Sequence, residues 1–492
     1  MIDLQQTTNA LLSFLTTPNK DWSFCTLSFM IAFLLFFAGY LYINGSRKTW
    51  MKAYVVLFGM FFAYKANGAL MVLLPITTLL WWFLTKKMMR LRRGKPRRVG
   101  VFIVILIELL PLLYYKYTDF TLDILNHLLQ SNFAPLQLIL PIGISFYTFQ
   151  AISYTIDVYK ERFPKATDLL EYSFYLTFFP LLIAGPITRA KVLIPQINTP
   201  RLNDKHLINL GLWLVICGLL KKALVADYLA QYNNWIFADP LAYTGFENLM
   251  GVLGFTLQIY CDFSGYSDMA IGIAALMGFQ LPNNFNSPYQ SLNLTEFWHR
   301  WHITLSQWFR DYIYILLGGN RKGELKTYRN TFITMIVAGL WHGASGMFVL
   351  WGLLHGVGLT IHKFARNRGF GKVQNTIYLK TICWLMTFTY ISVAWIFFRS
   401  HDLNTAFSII GKITTDLHFV DIQNFINARL LWIMLLAVGL ELHSIRQSDY
   451  RWLQQKFISL RWLAKLGIFL LVLQLVINLS QNSVQPFIYT RF

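Results

Sequence analysis

Histidines carry the strongest chemical signal in this chain. His342 stands in the stretch 336–344, Ile-Val-Ala-Gly-Leu-Trp-His-Gly-Ala, with no charged neighbour and a glycine on either side. A charged side chain at the centre of an apolar helix costs about 2.5 to 3.5 kcal/mol even on lenient insertion scales, so an ionisable group there asks for a function. With an unperturbed pKa near 6.5, a neutral imidazole accepts a phenolic or hydroxyl proton at cell pH, which makes His342 a candidate general base. The alternative is a core histidine bonded to a backbone carbonyl. His299 and His302 are three apart and on one helix would share roughly one face. A zinc site wants three or four ligands. The neighbourhood offers Glu296 and Arg300 but no cysteine, and a fixed cation beside Arg300 is disfavoured, so no metal is expected. His302 is expected to face inward with Trp301 and Trp308 around it.

The surrounding stretch 294–316 alternates charged and aromatic side chains, among them Glu296, Trp298, Arg300, Trp301, Trp308, Arg310, Asp311 and Tyr312, a pattern that suits a helix lying in the membrane interface. Trp341, Trp301, Arg300 and Asp311 are the nearest candidates for substrate contacts, and Gln150 is a further one on a separate stretch. The loop 318–323, Gly-Gly-Asn-Arg-Lys-Gly, offers glycines and two cations that suit a phosphate or a plain cytoplasmic turn. Ser264 lies among Asp262, Tyr266, Ser267 and Asp268 but lacks the G-x-S-x-G elbow of a serine nucleophile, so this cluster reads as polar packing at a helix end. His127, His206, His362, His401, His418 and His443 fall in or beside expected loops or interfacial ends, where a solvated imidazole needs no special role.

The elements that must position these groups are membrane helices. Of 492 residues 55% are hydrophobic and only 13% charged, a balance outside that of ordinary soluble chains. Crossing about 30 Å of hydrocarbon takes about 20 mostly apolar helical residues. Candidate stretches are 24–43, 51–65, 67–85, 99–115, 136–156, 171–186, 208–226, 247–260, 265–280, 329–345, 347–363, 377–397, 429–443 and 466–484. The expectation is an all-α polytopic membrane protein with roughly 11–14 membrane segments. Leu140-Pro141-Ile142-Gly143 and Ala184-Gly185-Pro186 mark kinked or re-entrant pieces that line a cavity. The net charge of +20 is spread over short loops between apolar runs, which follows the positive-inside rule and gives no reason to invoke nucleic acid. Eight basic residues and no acid in 86–98 place that loop in the cytoplasm against anionic headgroups. Arg446, Arg451, Lys456, Arg461 and Lys465 do the same for the segment before 466–484, so the C-terminus is expected outside. Cys25, Cys217, Cys261 and Cys383 are scattered and read as free thiols. Residues 1–22 show no cleavable signal, and no repeat or separate soluble domain is evident; one membrane body over 1–492 is expected, with its catalytic core over 258–363.

At these residues the chain resembles the membrane-bound O-acyltransferases, in particular the bacterial branch of alginate and peptidoglycan O-acetylation and teichoic-acid D-alanylation. The matching stretches cover most of the chain: 140–160 (LPIGISFYTFQAISYTIDVYK), 178–189 (FFPLLIAGPITR), 258–271 (QIYCDFSGYSDMAI), 283–312 with FWHRWHITLSQWFRDY, and 339–343. The resemblance implies active-site positions at His302 and His342, helices around a central tunnel, and acyl-CoA, most simply acetyl-CoA, as donor with no bound cofactor. His302 would orient the acyl carbonyl or stabilise its oxyanion. It also implies a bacterial inner-membrane location among membrane lipids, an extracytoplasmic SGNH-type acetyltransferase partner and a polysaccharide acceptor; D-alanyl transfer, a transporter and a non-catalytic scaffold are the alternatives. The tail 485–492 ends in Phe-Ile-Tyr-Thr-Arg-Phe and resembles the F-x-Y-x-x-F ending of this branch, in which Tyr489 would carry the acyl group. A phenol of pKa about 10 is a better leaving group than an alkyl alcohol, so an acyl-tyrosine keeps transfer potential. An aromatic interface anchor is the other reading of that tail.

Overall fold

The computed structural model describes residues 13–14, 16–18, 22–44, 48–163, 167–369 and 376–479, and the regular elements among them are helices, with no strand. The chain divides into two compact units, Met1–Arg201 and Leu202–Phe492, where the sequence suggests one membrane body. The tail that holds Tyr489 lies outside the described residues.

Among the described residues, six helical stretches are long and apolar enough to cross a membrane: Lys48–Arg90, Lys95–Leu129, Lys205–Ala238, Gly346–Asn367, Ile377–Arg399 and Val420–Ser444. A seventh is gained if Gln447–Ser459 and Trp462–Asn478, bent by 117° at their junction, count as one span. The protein is an all-α polytopic membrane protein, as its sequence leads one to expect. Fewer long spans appear than apolar stretches in the sequence, for two physical reasons. Stretches 51–65 and 67–85 lie in one helical run, and 247–260 and 265–280 lie in one 32-residue helix. Others hold only shorter helices: 136–156 is exposed extended chain as far as Ile139 and then the buried helix Ile144–Tyr159, and 171–186 holds buried helices of nine residues or fewer.

The first unit contains α1 (Leu27–Asn44), α2 (Lys48–Asn67), α3 (Leu73–Arg90), α4 (Lys95–Leu112), α5 (Thr118–Leu129), α6 (Ile144–Tyr159) and α7 (Leu169–Thr177). Several of its buried polar groups answer one another. Lys52 on α2 pairs with Glu171 on α7 at 2.8 Å, and the Thr155 hydroxyl of α6 donates to Glu108 on α4 at 2.6 Å. Asp168 caps α7 by accepting from the Glu171 amide at 2.7 Å, an arrangement worth about 0.5–2 kcal/mol.

The second unit contains α8 (Lys205–Leu219), α9 (Asp227–Ala238), α10 (Gly245–Leu276), α11 (Leu294–Arg300), α12 (Ile303–Phe309), α13 (Glu324–His342), α14 (Gly346–Asn367), α15 (Ile377–Arg399), α16 (Leu403–Thr415), α17 (Phe419–Ser444), α18 (Gln447–Ser459) and α19 (Trp462–Leu479). Its centre is α10, started by a full capping box in which Thr244 and Glu247 bond each other's backbone. Gly218 on α8 and Gly265 on α10 face each other so closely that a Cβ on either would stand 2.6–2.8 Å from the opposite backbone carbonyl. Small residues permit that approach. A π-helical turn, Leu220–Ala226, links α8 to α9 and carries Lys222 inward, 2.7 Å from Asp227 and 2.5 Å from Asp262. Lys221 pairs with Asp268 at 2.7 Å. The acidic cluster around Ser264 therefore lies in the middle of α10, not at a helix end, and its carboxylates serve ion pairs. Among the described residues, the four cysteines form no disulfide.

A candidate acyl-transfer site in the second unit

The polar stretch 294–316, expected as one interface helix, is broken. Helix α11 stops at Arg300, Trp301 is extended, and α12 begins only at Ile303. At the break His302 adopts φ 40° and ψ 55°, the left-handed region. An L-residue there costs on the order of 1–2 kcal/mol, and such conformations persist where the surroundings enforce them. Asn284 supplies the enforcement. Its backbone carbonyl accepts from the Ile303 amide at 2.9 Å, and its side-chain Oδ1 accepts from the Thr304 hydroxyl at 2.9 Å and amide at 3.3 Å. Its Nδ2 donates to Ser267 on α10 at 3.2 Å. Two residues on, the Asn286 amide donates to the Arg300 carbonyl at 2.9 Å.

The same Oδ1 lies 3.1 Å from His302 Nδ1. The Thr304 amide can only donate, which identifies this amide atom as the oxygen, and an oxygen cannot donate back. His302 Nδ1 therefore carries the hydrogen, and in the neutral ring Nε2 holds a lone pair. Nε2 is buried and has no hydrogen-bond partner among the described residues. In the neutral ring the bond to Asn284 thus leaves the remaining nitrogen as an acceptor.

His342 arrives from the other direction. It is the last residue of α13, and α14 starts three residues beyond Gly343 after a tight reversal. The two helices nearly touch. A Cβ on Gly339 would stand 2.2 Å from the Phe348 carbonyl oxygen, and one on Gly352 would stand 2.4 Å from that of Met335. This approach buries His342 to 3% exposure and sets its ring 5.1 Å from Trp341, 5.0 Å from Trp351 and 5.4 Å from Phe398. Trp341 also meets the His302 ring, at 6.1 Å edge to face. The two histidines, forty residues apart in sequence, thus pack on one indole. Phe263 closes the other side of His302 at 4.5 Å.

Aromatic side chains enclose the pair. Trp301 is fully buried, 5.1 Å from Trp395, and Trp395 stacks on Trp351 at 5.8 Å. Trp341 and Trp301 are therefore part of the enclosure. Arg300, expected as a substrate contact, pairs with Glu296 at 2.6 Å across one helical turn, and Asp311, expected likewise, pairs with Arg310 at 2.9 Å. Gln150 belongs to α6 of the first unit, where it is buried with both amide atoms unpartnered among the described residues. His299 is exposed on α11, so the break separates it from His302 in environment. Among the described residues, no group of three or more His, Cys, Asp or Glu is gathered as metal ligands.

Two expected bystanders are structural. His443, expected near an interface, is buried; its Nε2 accepts from the Tyr289 amide at 3.3 Å and its ring lies 4.7 Å from Tyr260. His362 shares a hydrogen bond with Thr295 at 2.9 Å. Sequence reasoning passed over Asn284, which only long-range bonds reveal, and His355, which stands one turn after Trp351 on α14 and could have been found from that spacing.

Comparison with known proteins gives the family. The model for MBOAT, membrane-bound O-acyltransferase family, matches residues 57–400, a range that contains both histidines. A probable alginate O-acetylase AlgI of Pseudomonas putida is 39% identical over 387 residues, 78% of this chain and 78% of the relative. A peptidoglycan O-acetyltransferase of Helicobacter pylori is 36% identical over 417 residues, 79% of each chain. A teichoic acid D-alanyltransferase of Bacillus subtilis is 26% identical over 337 residues, 65% of this chain and 82% of the relative.

Proposed function

The chain belongs to the membrane-bound O-acyltransferase family, and from that premise we propose that it moves an acetyl group from cytoplasmic acetyl-CoA to the extracytoplasmic O-acetylation of a cell-envelope polysaccharide. The observation that carries the reading is the burial of His302 and His342 against the single indole of Trp341. The acetyl choice draws on relatives named for O-acetylation at 36–39% identity, against 26% for a D-alanyl enzyme.

In this reading His342 is the general base. It takes the proton of an attacking hydroxyl or phenol as that oxygen bonds to the thioester carbon, and the thiolate of CoA leaves and takes the proton. Neutral His302, held by Asn284 with its lone pair on Nε2, packs on the same indole and shapes the site beside the base, while the one proton of the attacking O–H goes to His342. Tyr489, on the far side of the last span, is the first acceptor and passes its acetyl group to an extracytoplasmic SGNH-type transferase partner. The basic loops 86–98 and 318–323 draw the phosphates of the donor to the cytoplasmic face.

The test is thiol release from acetyl-CoA by membranes carrying the full chain. Wild type is expected to release CoA, and folded His342→Ala to lose at least about 100-fold in rate, the lower end of what a general base contributes. Equal rates in both would overturn the assignment of the base. Turnover only with a D-alanyl carrier thioester would replace acetyl by D-alanyl as the cargo.

A further inference from the structure

Acyl transfer needs a hydrogen-bond donor for the oxygen that becomes negative, and neither His302 Nε2 in the neutral ring nor a base that is receiving a proton supplies one at the outset. Two other donors lie on α14, one of them beside His342. Trp351 and His355 are each 0% exposed, one helical turn apart on α14, with rings 4.7 Å from one another. Residues at that spacing share a face. Trp298 Nε1–H points at His355 Nδ1 at 3.3 Å. An indole nitrogen only donates, so Nδ1 accepts, and an imidazole with its lone pair on Nδ1 carries its hydrogen on Nε2. That Nε2–H has no partner among the described residues, and neither has the Trp351 Nε1–H. Leaving a buried donor unmet costs about 1–3 kcal/mol each, so a matched pair of them marks a place where something else accepts. The Trp351 ring is 5.0 Å from that of His342, which sets Trp351 beside the base, with His355 next to Trp351 on the same face of α14.

We propose that Trp351 Nε1–H and His355 Nε2–H form a donor pair that holds the acyl carbonyl oxygen of a thioester substrate and the charge it gains in the transition state. The inference rests on the acyl-transfer reading of the site. As the attacking oxygen bonds to the acyl carbon, the carbonyl π pair moves onto its oxygen and His342 receives the proton. When that pair returns, the carbon–sulfur bond breaks and the thiolate takes the proton back. The two N–H groups are fixed by helix α14 and by Trp298, so they need no rearrangement at the moment charge appears, the condition under which such donors are most effective. Trp298 is then a positioning residue, since it sets the tautomer of His355 without meeting the substrate.

The experiment is steady-state acetyl-CoA turnover by the full chain in membranes, with thermal midpoints measured in parallel. Removing one donor, by Trp351→Phe or His355→Leu, is expected to lower kcat about 100- to 1000-fold. KM for acetyl-CoA should stay within about threefold, because the loss falls on the transition state. His355→Gln keeps an oxygen to accept from Trp298 and an N–H to donate, and is expected to recover at least about tenfold of the His355→Leu loss. A residue that only filled space would show no such recovery and would shift the thermal midpoint instead. The proposal is overturned if folded His355→Leu and Trp351→Phe keep wild-type kcat while His342→Ala is inactive, or if His355→Gln, folded, is no better than His355→Leu. If His342→Ala itself turns over normally, the acyl-transfer reading of the site falls, and the donor pair with it.

Discussion

His302 shows how one side chain can set the chemistry of another. The Oδ1 of Asn284 bonds His302 Nδ1 at 3.1 Å and also Thr304, so it fixes both the left-handed backbone at the break and the tautomer of the ring. Asn284→Ala would leave the Thr304 hydroxyl, the His302 N–H and the Ser267 hydroxyl short of a buried partner, a loss of about 1–3 kcal/mol. Acyl transfer is expected to fall by more than about tenfold, with a lowered unfolding midpoint; normal turnover at normal stability would show that the reaction does not need Asn284. At this scale the sequence was informative about type and poor about partners. His342 stood out because an imidazole without charged neighbours in an apolar run has few structural excuses. Asn284 did not, since its bonds reach 18 and 20 residues ahead and leave no local pattern. Arg300 and Asp311 are visible in the sequence by their charge, whereas their ion-pair partners Glu296 and Arg310 take the fold to see.

Helix packing decides whether the site assembles at all. The reversal between α13 and α14 brings His342, Trp351 and His355 together only because Gly339 and Gly352 let the backbones meet. Overpacking typically costs about 1–3 kcal/mol, so Gly352→Leu is expected to destabilise by at least that amount and to abolish turnover by parting the helices. A folded, active Gly352→Leu would show that this approach is dispensable. The π-helical turn between α8 and α9 makes a second demand, because it buries Lys222 between Asp227 and Asp262. Lys222→Met strands two buried carboxylates and is expected to cost about 3–5 kcal/mol, measured as loss of folded protein on mild heating. Apolar runs located most of the long helices, while α5, α9, α16 and α18 fall outside every run. Sequence pattern also failed at two places for identifiable reasons. Stretches 247–260 and 265–280 read as separate with the polar cluster at a helix end, yet α10 runs straight through, with Gly265 packed on Gly218. The break at Trp301–His302 follows no glycine or proline, and is imposed from outside by the segment around Asn284.

For the molecule as a whole, composition made the membrane class plain, and the run of motifs from 140 to 343 made the family legible in the residues alone. The number of spans was not legible, because several apolar stretches serve as buried interior and not as crossings, a distinction that depends on what packs around them. In the proposed topology the basic segments put the final tail outside, and Tyr489 with it. Covalent loading tests the central claim most directly. Purified full-length protein incubated with radiolabelled acetyl-CoA is expected to acquire acid-stable label that disappears in both His342→Ala and Tyr489→Phe, the histidine supplying the base and the tyrosine the acceptor oxygen. Label that persists undiminished in folded His342→Ala would contradict histidine-driven acyl transfer at this site.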